Sequence, residues 1–133
     1  MRPNGQVLVV EDEAEVNELI GAYAQIAGFT YVRALNGRAA IEQARIHRLS
    51  LVLLDVMLPD LDGFEVCKCL KSEQHTRGVP VVMLTALDRD EYRHRAWQCG
   101  AAAYLTKPFD PDQLLKTIRG NALSDGNGHD EPD

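Results

Sequence analysis

Five short apolar runs alternate strictly with longer stretches of helical spacing. That alternation constrains the fold more than any other feature of the chain. The runs are Gln6–Val10 (QVLVV), Thr30–Ala34 (TYVRA), Leu51–Leu54 (LVLL), Val79–Leu84 (VPVVML) and Ala102–Leu105 (AAYL). Each is too short for a typical helix. The first, third and fourth lack polar alternation, as strands covered on both faces do in a parallel sheet.

The intervening stretches carry apolar residues at helical intervals. Over Glu13–Phe29 the spacing predicts one face made of Val16, Leu19, Ile20, Tyr23 and Ile26, with a stop at Gly28. Gly37–Arg48 offers Ala40, Ile41 and Ala44, with Leu49 as a possible extension. Phe64–Glu73 offers Phe64, Val66, Cys67 and Leu70. Asp88–Gly100 is weakly apolar. Asp110–Leu123 opens with an N-cap-like Asp110 and Pro111, and buries Leu114, Leu115 and Ile118. Strand–helix pairs in strict alternation predict an α/β fold, a doubly wound parallel sheet with helices on both faces.

The chain has 133 residues, enough for one domain with a proper core. We expect that domain over residues 1–123. The last ten, 124–133, contain no apolar residue and read as a disordered acidic tail or linker. No run approaches the ~20 residues that span a membrane. The first apolar run is too short for the core of a signal peptide, so the expected location is cytoplasmic. Cys67, Cys69 and Cys99 form no CxxC pair and fit reduced thiols. None of the four histidines has a metal-ligand spacing. A net charge of -6 argues against direct binding of nucleic acid.

In an open parallel sheet, ligands bind beyond the carboxyl ends of the strands. Glu11, Asp12 and Glu13 follow the first run, and Asp55 follows the third. Thr85 follows the fourth, and Thr106, Lys107 and Pro108 follow the fifth. If the strands are neighbours, several acids, a hydroxyl and a lysine share one pocket. Clustered carboxylates repel unless a cation joins them. Oxygen-only ligands suit a hard ion such as Mg²⁺. Taken singly, most of these residues read more simply. The acids could form a solvated helix start, Thr85 a capping hydroxyl, and Lys107 a surface charge. Asp55 is harder to dismiss, because the apolar Val56–Pro59 that follows offers no helix to cap.

The segments VLVVEDE, LVLLDVMLPDLDGFEV, VVMLTA and YLTKPF, in this order and spacing, resemble the receiver domain of response regulators in two-component signalling. The resemblance covers roughly Gln6 to Leu123 and implies the flavodoxin-like strand order 2-1-3-4-5. It implies that Asp55 accepts a phosphoryl group from a sensor histidine kinase or a phosphotransfer protein. It assigns Mg²⁺ to Asp12 directly, to Glu11 through water, to Asp55 itself and to the backbone carbonyl of Met57. It makes Thr85 a donor to a phosphoryl oxygen and Lys107 the neutralising cation, with a cis Lys107–Pro108 bond. It places Tyr104 at the family's switch position. Backbone N–H groups near Met57, Ala86 and Leu87 are further candidate donors.

The expected function is therefore phospho-acceptance that switches a surface for a downstream protein partner or for an output domain outside this chain. The protein would not be an enzyme in its own right, but would assist its own phosphorylation and dephosphorylation. An interaction module indifferent to phosphorylation would not need Asp12, Asp55, Thr85 and Lys107 together. An aspartyl phosphatase would want an acid two residues after Asp55, where Met57 stands. No GxGxxG or P-loop sequence follows the first run, which argues against a nucleotide or flavin site. Trp97, on the weakly apolar fourth helix, fits a partner surface or a packed position equally.

Overall fold

The structure, a computed structural model, describes residues 5–123. The strands are β1 (Gln6–Val10), β2 (Thr30–Ala34), β3 (Leu49–Leu54), β4 (Val81–Thr85) and β5 (Ala103–Thr106). The helices are α1 (Ala14–Ile26), α2 (Gly37–Ile46), α3 (Gly63–Ser72), α4 (Asp90–Gln98) and α5 (Pro111–Asn121). The strands pair in parallel in the order β2-β1-β3-β4-β5, as expected. The expected tail, 124–133, lies outside the described residues.

The two-residue period of the strands divides the apolar residues between two cores. Leu8, Val10, Val52, Leu54, Val81 and Met83 face one core, with Ala40 and Ala44 of α2, four side chains of α3 and Ala96 of α4. Val7, Val9, Leu51, Leu53, Val82 and Leu84 face the other, with Ile20 and Ala24 of α1 and Leu114 and Ile118 of α5. All of β3 and β4 is buried. This explains why their sequences lack polar alternation.

Several boundaries differ from the sequence reading. β3 starts at Leu49, which belongs to the strand and not to the preceding helix. β4 starts at Val81, after Pro80, which has no N–H for a ladder. Thr85 and Thr106 are the last residues of their strands and do not lie beyond them. Asp110 stands at the N-cap of α5, but its side chain makes no capping bond.

The largest correction concerns α1. Its buried residues are Asn17, Ile20, Gly21 and Ala24, a face rotated from the predicted one. Leu19 and Ile26 are exposed by 51% and 60%. The reason is close packing on β2. A Cβ on Gly21 would lie 2.3 Å from the Tyr31 ring, so a small residue is needed at that contact, while Ile20 is buried as predicted and Val16 and Tyr23 pack partly buried against the core.

Candidate functional site

The carboxyl ends of β1, β3, β4 and β5 come together at one edge of the sheet. β1 ends at Val10, and Glu11 follows with its N–H on the Ala34 carbonyl, 3.1 Å away. β3 ends at Leu54, and the Asp55 N–H donates to the Val10 carbonyl at 3.0 Å. These backbone bonds hold both acids beside the last rungs of the sheet. Glu11 is 1% exposed and Asp55 6% exposed, whereas Asp12 stands in solvent. Glu11, Asp12 and Asp55 each present a carboxylate oxygen within 4.8 Å of the others.

Lys107 closes the cluster from β5. Its ammonium donates to Asp55 Oδ2 at 3.1 Å and to Glu11 Oε1. The other Asp55 oxygen, Oδ1, accepts the Met57 N–H at 3.1 Å. Glu11 Oε2 accepts the Glu13 N–H at 3.1 Å. The Lys107–Pro108 peptide is cis, as expected.

Burial dominates the Glu11 carboxyl and holds its pKa above the ordinary value, although Lys107 and the Glu13 N–H pull it down. Burial also opposes the charge of Lys107. Glu11 and Asp55 outweigh that, so its pKa is raised overall. Three carboxylates face one ammonium, which leaves an excess of negative charge. An all-oxygen donor set with one member open to solvent fits a hard divalent cation.

The loop after Asp55 is held from two sides. A Cβ on Gly63 would lie 2.5 Å from the Asp55 carbonyl oxygen, so only glycine lets α3 start against that backbone. Gly63 is the first residue of α3. Asp60 accepts the N–H groups of Gly37 at 2.7 Å and Arg38 at 2.9 Å, and so ties the loop to the start of α2. Its pKa is lowered: slight burial pushes it up, but the backbone donors prevail.

Thr85 is buried at the end of β4, and its hydroxyl oxygen accepts the Leu87 N–H at 3.4 Å. Tyr104 is half-buried on β5, and its hydroxyl donates to the Leu87 carbonyl. A strand aromatic with its hydroxyl in water would not do this. Tyr104 is tied to the loop that follows Thr85.

The structure thus brings Glu11, Asp12, Asp55 and Lys107 into one cluster. Met57 and Thr85 border it, and Tyr104 stands one shell further out. A family model for the response regulator receiver domain matches residues 7–119. The chain belongs to this family.

Relatives agree with that assignment. The receiver is 42% identical over 114 residues to the phosphate regulon transcriptional regulatory protein PhoB of Escherichia coli. That match covers 86% of this chain and 50% of the relative. It is 41% identical over 121 residues to the transcriptional regulatory protein GltR of Pseudomonas aeruginosa, covering 90% of this chain and 50% of the relative. The chain therefore spans about half the length of the curated relatives it matches. The chemotaxis protein CheY4 of Vibrio cholerae superposes with a TM-score of 0.83 at 31% identity, covering 88% of this chain and 98% of that one. The receiver is a phospho-accepting module of two-component signalling. No helix among the described residues is long and apolar enough to cross a membrane.

Two residues of this site escaped the sequence reading. Asn17 sits in α1, fully buried behind Glu11. Asp60 caps a helix 23 positions away in sequence. An asparagine within a helical stretch was the only signal for the first. Nothing local marks the second.

Proposed function

We propose that Asp55 is the phospho-acceptor and that Lys107, Thr85 and the loop amides position and neutralise the transferred group. The observation that carries this reading is the Lys107 ammonium resting on Asp55 while Met57 N–H holds the other oxygen. A carboxylate is a weak nucleophile, and phosphoryl transfer depends mainly on positioning and on neutralising charge.

An Asp55 oxygen attacks phosphorus in line. The P–N bond of a phosphohistidine on a kinase or phosphotransfer protein breaks, and the imidazole leaves with the bonding pair and takes a proton. The product is an acyl phosphate. Lys107 exchanges Asp55 for a phosphoryl oxygen. Thr85 then turns its hydroxyl toward another. Asp12, Asp55 and the Met57 carbonyl, with Glu11 acting through water, would hold a Mg²⁺ ion, which would supply neutralising positive charge to the transferred group.

The new charge biases the loop after Thr85. Tyr104 shares that loop through Leu87, so its position follows that of Thr85. The surface beside α4 and β5 changes in response and meets a downstream protein or an output domain. On this reading the protein works in the cytoplasm and assists its own phosphorylation and dephosphorylation without turning over a substrate.

Treatment with acetyl phosphate and Mg²⁺ should add one phosphoryl group, seen by intact mass. Asp55→Asn and chelation of the metal should each abolish the addition. A phosphoryl group that persists in Asp55→Asn would move the acceptor elsewhere.

A further inference from the structure

Asn17 is 0% exposed, on the fourth residue of α1. Its amide nitrogen donates to three carbonyls: Val9 at 3.0 Å, Glu11 at 3.1 Å and Ala34 at 3.1 Å. Two hydrogens serve three acceptors, so at least one bond is shared. The β1–β2 register ends at Val10 and Ala34. Asn17 thus continues the pairing one step past the sheet, where α1 covers the backbone and water cannot replace it.

The carbonyl of Glu11 and the N–H of Asp12 belong to one peptide unit. The Glu11 N–H is already fixed by Ala34. Asn17 fixes the other side, so both peptide planes flanking Glu11 are set. Glu11 keeps its direction through Lys107 and the Glu13 N–H as well. The carboxylate of Asp12 is different. It makes no hydrogen bond or ion pair among the described residues, so only its backbone aims it at Asp55.

We propose that Asn17 is a positioning residue for the divalent-cation site, acting through the Glu11–Asp12 peptide plane. This rests on the reading that Asp12 and Asp55 hold the cation. The donor is what matters. An aspartate of the same shape would turn a carboxylate oxygen toward three carbonyls, and alanine would leave the Glu11 carbonyl without this donor.

The test is a Mg²⁺ titration of the apo protein, followed by the amide NMR shifts of Asp55 and Met57. Asn17→Ala should bind Mg²⁺ about tenfold more weakly, the usual consequence of losing a group that orients a metal ligand. Ile118→Ala, in the core beneath α5, lowers stability without touching the site and should leave the affinity unchanged. This separates positioning from a general loss of stability. If Asn17→Ala does not fold, Asn17→Gln keeps the amide but displaces it by one methylene, and it should weaken binding in the same sense. Wild-type affinity in a folded Asn17 variant would overturn the proposal and leave the cation reading intact. Failure of the wild type to bind Mg²⁺ at these amides would overturn the cation reading and this proposal with it.

Discussion

Helices α3 and α4 lie on the same face of the sheet and flank the same cluster of strand ends, yet they are held very differently. α3 opens with a capping box, in which Asp62 accepts the Glu65 N–H and Glu65 accepts the Asp62 N–H. It buries Phe64, Val66, Cys67 and Leu70, and Gly63 starts it in contact with the Asp55 backbone. α4 has no side-chain cap and buries Ala96 alone. Two of its exposed arginines make ring contacts: Arg95 lies 4.1 Å from the Phe64 ring centroid and Arg93 lies 5.0 Å from that of Tyr104. Such contacts at exposed sites contribute only about 0.5–1 kcal/mol each. Segments that move in signalling come from the less stable parts of a fold. The acceptor loop is built on the firm helix, and the loop shared by Thr85, Leu87 and Tyr104 leads into the loose one.

The largest expected effect tests this contrast directly. Leu70→Ala empties a fully buried site on α3 and should cost about 2–5 kcal/mol in urea unfolding. Trp97→Ala removes a larger side chain from α4, but one 75% exposed, and should cost no more than about 0.5 kcal/mol. Comparable losses from the two would erase the distinction between the helices.

The same contrast explains how much could be read from the sequence. The sheet order follows from the resemblance, while strand burial and the positions of Asp55 and Lys107 follow from local signals: apolar runs, their alternation with helices, and polar residues at strand ends. Features set by tertiary approach did not. The predicted face of α1 used its bulky residues, of which Ile20 is buried, but the helix lies too close to Tyr31 for bulk at Gly21, and Asn17, Gly21 and Ala24 face inward while Leu19 and Ile26 are exposed. Asp60 reads as an ordinary turn residue, and only the fold brings it to the N-terminus of α2. Trp97 was ambiguous because α4 has so weak an apolar face, and the exposure of Trp97 follows from the same weakness.

A smaller effect is expected from residues on the two loops themselves. Met57 follows Asp55 on the firm side, and Leu87 follows Thr85 on the loose side. Both are apolar and cannot orient a hydrolytic water as a polar side chain can. Positioning accounts for much of the catalysis of this step, so the phosphorylated form should be long-lived. Met57→Asn with Leu87→Glu should speed loss of phosphate about tenfold after the donor is removed, each alone doing less. A wild-type phosphate lost within seconds would contradict this, as would an unchanged decay rate in the double variant.

The smallest effect concerns the firm side, which is well bonded but electrostatically unfavourable. Burial raises the Glu11 pKa more than Lys107 and the Glu13 N–H lower it. The folded state therefore holds a proton at Glu11 more readily than the unfolded chain does. Stability from this group is fully present below the ordinary carboxylate pKa and is lost as pH rises through the raised value. Lys107 contributes no slope in that range, because its raised pKa puts its titration in strongly alkaline solution. Glu11→Gln keeps an oxygen for the Glu13 N–H and removes the charge that burial opposes. Without metal, the variant should gain on the wild type as pH is raised from about 4 toward 7. Urea unfolding across that range reads the difference as a change of slope. Parallel slopes for the two proteins would mean that the Lys107 pair compensates the buried charge fully, and that this end of the sheet is as settled electrostatically as it is in its hydrogen bonds.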